Sequence, residues 1–224
     1  MRASKLFCDE DRCRIEQAVA AAESQTSCEI VPVVATTSDQ YERSQDIIGL
    51  WFAIASAVVF WLCFPRVSQA DSGWDATPNY LPAGLMAVIM LVSFVLGVFL
   101  GAQIAGLKRL FTPQVAARKR VSDRARQVFF DRRVHHTASS TGILIYISLF
   151  ERMAVVLADE AVLEAVGQGT LDEMCKQLTS GFRKGDGPRS LERVITDVGN
   201  RLAPLLPREK NDTDELSNLL VIID

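Results

Sequence analysis

Histidine is nearly missing from this chain, with two in 224 residues, and cysteine is sparse, with five. No two cysteines form a C-x-x-C pair and no histidines stand at H-x-x-x-H spacing. This argues against the common zinc sites and against a disulfide framework. An odd number of scattered thiols, with Cys63 inside an apolar run, suits a reducing cytoplasm. Charge of one sign is also missing: 24 Lys and Arg stand against 27 Asp and Glu, a net −3. No basic field covers the whole chain, so nucleic acid is not an expected partner. Gly167-Gln168-Gly169 lacks the third glycine and the preceding strand of a dinucleotide loop, and reads as a turn. Residues 1–46 hold no apolar core followed by a small-residue cleavage site, so no cleavable signal peptide is expected.

What the chain does have is two uncharged apolar stretches, Ile47–Phe64 and Leu81–Leu107. At helical rise the first spans roughly 27 Å, close to the hydrocarbon thickness of a bilayer. Its Ile, Leu, Phe and Val side chains should favour insertion by about 3–6 kcal/mol. The connector 65–80 carries Arg66 as its one basic residue, whereas Lys108, Arg109, Arg118, Lys119, Arg120, Arg124 and Arg126 crowd beyond the second stretch. The positive-inside rule then predicts a two-pass protein of the inner (cytoplasmic) membrane, both termini cytoplasmic and the connector outside. Trp51, Trp61 and Tyr80 lie near the span ends, where amphipathic rings prefer to sit. Gly49, Ala53 and Ala57 share a face of the first span, and Gly97, Gly101 and Ala105 a face of the second. Such small-residue ladders let helix backbones approach closely. They could pack the hairpin on itself or build a homo-oligomer, and the sequence leaves both open.

Around the hairpin the chain reads as one α/β domain split by its own anchor. The divisions are 1–46, the N-terminal part of a cytoplasmic domain; 47–64 and 81–107, the membrane helices; 65–80, the external loop; and 108–224, the remainder. Asp9–Ser24 reads as an amphipathic helix, and Glu29–Thr36 as a strand in which Pro32 suggests an edge position or bulge. Gln114–Arg133 reads as a helix that could continue from the second span. Thr141–Leu149 and Met153–Ala158 read as an antiparallel hairpin. Thr170 and Glu173 suggest a capping box for a helix stopping at Gly181, and Ser190 suggests the cap of another. Asn218–Ile223 reads as a last strand. Four strands and about four such helices predict a small mixed sheet covered by helices. A helix and one strand before the hairpin cannot bury a core alone, and an even number of spans returns the chain to their side.

The run His136–Val162, HTASSTGILIYISLFERMAVVLADEAV, resembles the signature of the TPM domain family, named for thylakoid lumen, photosystem and acetylcholine-receptor-associated founders. The resembling elements are Thr141-Gly142, the strand Ile143–Leu149, the turn at Glu151-Arg152 and the strand Val155–Asp159. Gly181 and Asp186-Gly187 before a helix add a weaker match. The resemblance covers roughly residues 8–40 and 115–224 and points to a membrane-anchored bacterial branch. It implies an α/β/α sandwich, interrupted here by a two-helix transmembrane hairpin. It also implies either weak acid phosphatase or divalent-metal activity, or an accessory role in membrane complexes. Many relatives hold the domain outside the cytoplasm, whereas here it should face inward.

The residues themselves argue little catalysis. Cys8 and Arg14 have the C-x5-R spacing of cysteine phosphatases, but Asp9, Glu10 and Asp11 between them would repel a phosphate. Asp9-x-Asp11 and Asp212-x-Asp214 do not follow a buried strand, and the adjacent His135 and His136 should point apart. The best metal candidates are Asp159, Glu160, Asp186, Asp212 and Asp214, hard oxygen ligands suited to Ca²⁺ or Mg²⁺; helix caps and solvated loops are the other reading. Neither span carries an ionisable residue and Gln103 is the one strongly polar side chain deep in the second, so an ion path lacks ligands. The expectation is a membrane-anchored, non-catalytic accessory or scaffold for an unidentified membrane complex, in contact with the lipid bilayer. The alternative is a weak divalent-metal-dependent acid phosphatase.

Overall fold

Two strands of unbroken burial organise the domain. β1 (Glu29–Ala35) and β2 (Gly142–Ser148) are buried at every position, the pattern of strands covered on both faces. In the computed structural model they pair in parallel, from Glu29 opposite Gly142 to Ala35 opposite Ser148. β3 (Met153–Ala158) returns antiparallel to β2, and β4 (Val221–Ile223) lies parallel to Val33–Ala35, giving the order β3-β2-β1-β4. The structure describes residues 2–39, 42–63, 81–103, 113–137, 140–208 and 216–224. It forms two compact units, one of 1–39 with 114–224 and one of 40–113.

The period-two alternation of the strands sorts the first unit into layers. Ile30, Val34, Ile143, Ile145 and Ile147 face a core completed by α2 (Asp9–Glu23), α6 (Glu160–Arg183) and α7 (Gly187–Leu202), beside the short α1 (Ala3–Leu6). Val31, Val33, Ala35, Leu144 and Tyr146 face the other way, under Val121, Ala125 and Val128 of α5 (Gln114–Asp131). The result is a mixed sheet between helical layers. The predicted mixed sheet and antiparallel hairpin are present, with strand ends trimmed by one to three residues.

Pro32 departs from expectation, since β1 is an inner strand. Its tolerance has a local cause. Glu29 N–H donates toward β2, to Thr141 O, while Ile30 N–H and Thr36 N–H point the opposite way, to Glu23 Oε1 at 2.9 Å and Ile223 O at 2.7 Å. By alternation the Pro32 nitrogen also points toward β4, one residue short of where β4 begins to pair. No ladder bond is lost there.

Two helix starts are corrected. α6 begins at Glu160 and is kinked at Gly167 (φ 76°, ψ 154°), so the Thr170–Glu173 capping box does not form. The Thr170 hydroxyl instead donates back to Val166 O at 2.7 Å. Its end is set by Gly185 (φ 82°), not Gly181: Gly185 N–H reaches Phe182 O and Asp186 N–H reaches Gly181 O. α7 begins at Gly187 with Pro188 in its first turn, and Ser190 lies buried against α6 rather than capping.

The second unit holds α3 (Glu42–Cys63) and α4 (Leu81–Gln103). Both are long and apolar enough to cross a membrane, over Gln45–Cys63 and Ala83–Gln103, roughly 28 and 32 Å at helical rise. They pack on each other through small residues. A Cβ at Gly97 would lie 2.8 Å from Phe52 Cβ and 2.9 Å from Gly49 Cα, and one at Gly101 would press on Ile48. Ala53 is buried and Ala57 half-buried, while Ala105 and any continuation from α4 into α5 lie outside the described residues. Outward, both helices present large apolar side chains, Trp51, Val59, Trp61, Leu62, Leu91, Val95 and Phe99 among them.

At Gly142 the backbone carbonyl of Val134 lies 2.0 Å from where a Cβ would stand. Gly142→Ala should therefore cost about 1–3 kcal/mol of overpacking strain. Gly169→Ala, with nothing within 4 Å of its Cβ, serves as the control. Thermal unfolding followed by circular dichroism in mild detergent should separate the two; equal midpoints would contradict the close approach.

Candidate functional site

Because β1, β2 and β4 are parallel, their carboxyl ends meet at one edge of the sheet, where open α/β sheets usually bind ligands. The segments that leave this edge bring polar side chains to it: Thr36–Asp39 after β1, Glu151 and Arg152 in the turn Leu149–Arg152 after β2, and Asp224 after β4. Glu151 is the centre of this polar group, with 6% of its surface exposed. Its Oε1 accepts from Ser38 N–H at 3.0 Å and its Oε2 from the Ser148 hydroxyl; the Thr37 hydroxyl lies 3.5 Å from Oε1 but donates more closely to Asp39 O, at 2.8 Å. Arg152, the next residue of the turn, stands in the left-handed region (φ 54°).

Neighbouring groups extend this arrangement. The Tyr146 hydroxyl lies 3.1 Å from Ser38 Oγ, and burial raises its pKa. Arg120 of α5 forms an ion pair with Asp39. On the other side, Asp224 Oδ1 accepts from the Thr36 hydroxyl at 2.7 Å and from Ser4 N–H at 3.3 Å, while Ala3 N–H donates to Thr36 Oγ1. Hydrogen bonds from Ser4 and then Thr36 hold the Asp224 carboxyl at about 2. Chemically this is a set of acceptors met by protein donors: a clamp, tying the loop after β1 to the turn after β2.

The carboxylates singled out from sequence lie elsewhere. Asp159 caps α6, accepting from Glu160 N–H at 3.1 Å; its Oδ2 is buried and makes no hydrogen bond among the described residues. Glu160 is exposed in the same first turn. Asp186 follows the other end of α6, at the start of α7, and pairs with Arg193 at 3.4 Å. Asp159 and Asp186 therefore stand at opposite ends of one helix, and Asp212 and Asp214 lie outside the described residues. Among the described residues no three His, Cys, Asp or Glu side chains converge in a way that could hold a metal ion. The proposed Ca²⁺ or Mg²⁺ ligand set is not assembled by its three described members.

The remaining sequence candidates resolve as local structure. The Cys8 thiol donates to Asp11 Oδ2 at 3.0 Å, and Arg14 pairs with the same carboxylate, so neither is turned to a phosphate. Cys8 and then burial and Arg14 act on Asp11, with a lowered pKa as the net result. The His135 ring meets Phe130 at a tilt, centroids 4.9 Å apart, whereas the His135 and His136 rings stand 6.3 Å apart. Cys28 donates to Thr141 O at 2.7 Å, and burial, with Glu23 and Glu29 beside it, pushes its thiol pKa up; it is inert. Glu151 escaped the sequence reading. The available signal was an acid in a tight turn directly after a strand ending in Ser148.

No protein-family model and no curated protein matches the chain. Among solved structures it is similar to the BA42 protein of the psychrophilic bacterium Bizionia argentinensis, determined by NMR. The TM-score is 0.56 at 19% identity, with 96% of this chain and 94% of that chain covered. The likeness is one of fold.

Glu151→Ala would leave the Ser38 N–H and the Ser148 hydroxyl without this acceptor, a loss of roughly 2–4 kcal/mol, while the Thr37 hydroxyl keeps Asp39 O. A lowered unfolding midpoint with faster proteolysis of the 36–39 loop is expected; an unchanged midpoint would show that the clamp does not hold the loop. Asp224 gives a pH test. A carboxyl depressed to about 2 stabilises above its unfolded value near 4 and loses that contribution as pH falls toward 2. Asp224→Asn should lower stability at neutral pH and flatten its fall across that acid window in a pH-dependent melt, the two proteins converging toward pH 2; curves that stay parallel would contradict the hydrogen-bonded carboxylate.

Proposed function

We propose that this chain is a membrane-anchored, TPM-like accessory or scaffold protein that works by association rather than by turnover. The observation that carries the reading is the hairpin: two packed helices of membrane-spanning length whose outward side chains are apolar over both lengths. A soluble core helix would bury those side chains; these need lipid or protein around them. The charge asymmetry about the spans, with Arg66 alone on the connector and seven Lys and Arg following the second stretch, supports a two-pass orientation in the inner membrane. Both termini and the α/β unit would then be cytoplasmic. The TPM-like part of the proposal rests on His136–Val162 and on the order of elements.

An accessory role fits the chemistry at the sheet edge. Its one deeply buried carboxylate, Glu151, is occupied by backbone and hydroxyl donors that hold loops together. A scaffold needs such fixed loops. The acid phosphatase alternative would need Asp159 to recruit partners beyond those described, and it draws on the family resemblance alone.

Affinity purification of the full chain from membranes in mild detergent, after cross-linking in cells, tests the proposal. A near-stoichiometric membrane protein partner, or self-association into a defined oligomer, is expected. A lone monomer would overturn the accessory reading, and metal-stimulated phosphate release lost in Asp159→Asn would replace it.

A further inference from the structure

We propose that the outer face of α5 is a docking surface for the anionic headgroups of a lipid bilayer; the inference rests on the membrane-anchored reading above. α5 is divided along its length. Ala117, Val121, Ala125 and Val128 are buried against the sheet. Two of its cations are turned to the domain: Arg120 pairs with Asp39, and Arg124 donates to Gln127 Oε1 at 2.6 Å and acts on Tyr146. Arg118, Lys119 and Arg126 are exposed instead, and Arg132 and Arg133 continue the exposed basic run in the turn that follows. Asp123 and Asp131 are the exposed acids of the same stretch, so five cations stand against two anions. The surrounding chain is net −3, which makes this a local concentration of positive charge rather than a reflection of composition.

The face also carries apolar tips. Val115, Lys119, Asp123, Arg126 and Phe130 follow one another at helical spacing, with Val115 82% and Phe130 61% exposed. The His135 ring lies beside Phe130, centroids 4.9 Å apart and tilted by 60°. Basic side chains beside exposed apolar ones describe an interfacial surface: the cations meet lipid phosphates and the apolar groups enter the headgroup boundary. A nucleic acid or acidic protein would use the cations but leave Val115 and Phe130 in water. Chain order favours the lipid too, because α5 follows the second membrane-length helix after a segment that itself carries Lys108 and Arg109.

The test is amide hydrogen exchange of the full chain in nanodiscs of phosphatidylglycerol against phosphatidylcholine, beside the variant Lys119→Gln/Arg126→Gln/Arg132→Gln. A docked state favoured by about ten to one slows exchange across 126–136 roughly tenfold in the anionic discs, and loss of three cations removes the effect. Unchanged exchange of β1 and β2 shows that the variant is folded, since all three side chains are exposed. Equal exchange in both discs, or protection that persists in the variant, overturns the proposal. So does protection in neutral discs by inorganic phosphate, which would assign the face to a free anion, or by polyglutamate alone, which would assign it to an acidic protein. Release of the chain from membranes by alkaline carbonate would overturn the anchor itself, and the docking surface with it. A carbonate-resistant chain with equal exchange in both discs would overturn only the docking surface.

Discussion

The parallel pairing of β1 with β2 is the constraint on which the rest depends. Seven residues before the hairpin find their ladder partners only after it, Glu29 opposite Gly142 through Ala35 opposite Ser148. β1 is the central strand for both neighbours, so the sheet cannot form until residues on both sides of the insertion are in one compartment. Two crossings of a membrane by α3 and α4 would satisfy this, and one would not. The entropic cost of so long an insertion is modest. Closing a loop of about a hundred residues costs roughly 4 kcal/mol, and halving it by pre-folding the hairpin recovers only about 0.6 kcal/mol. The insertion is therefore tolerated inside a domain for the reason that long surface loops are: closure cost rises slowly with length, while burial of both faces of β1 and β2 is undiminished.

The polar groups at the sheet edge act at the same place. Asp39 is the last described residue before the insertion and Arg120 lies in the first helix after it, and they are paired. Both are about half-exposed, so the pair is worth little in stability, of order 0–1 kcal/mol. Glu151 differs because its carboxyl is buried, with a backbone N–H and a hydroxyl arranged about it. In low dielectric those bonds strengthen, and the group has no inexpensive alternative position. Glu151 thus fixes where the chain leaves the sheet, and Arg120 adds register at its return.

Elements with a strong, simple period were legible in the sequence. The β-branched run of β2, the hairpin to β3, the α2 and α5 helices and the apolar stretches all follow from residue pattern, because burial on one or both faces imposes that pattern directly. Tertiary choices were less legible. Pro32 marks a real gap in the ladder, but whether it lies on an outer strand or on the unpaired half of an inner one depends on where a three-residue strand nearly two hundred residues later begins. Thr170 and Ser190 carry capping chemistry, yet the helices start earlier, at Glu160 and Gly187, and both hydroxyls are taken up by α6 itself or the seam beside it. The candidate site was least legible. Surface acids advertise metal binding in a sequence, whereas Glu151 is one acid in a turn, and its importance comes from loops that sequence separation hides.

α5 connects these levels. A helix with one task would be amphipathic in the ordinary sense, apolar inward and mixed outward. Here the cations themselves are divided. Arg120 and Arg124 point to Asp39, Gln127 and Tyr146 and serve the sheet edge, while Arg118, Lys119 and Arg126 remain at the surface with Val115 and Phe130. The positive-inside bias needs only that cations lie on the proper side of a span; it sets no direction around a helix axis. Net attraction to an anionic surface does need one, because screening confines each charge's reach to about one Debye length, roughly 8 Å at physiological salt. The angular sorting of cations on α5 is thus the feature that topology alone leaves unexplained, and a surface that reads direction accounts for it.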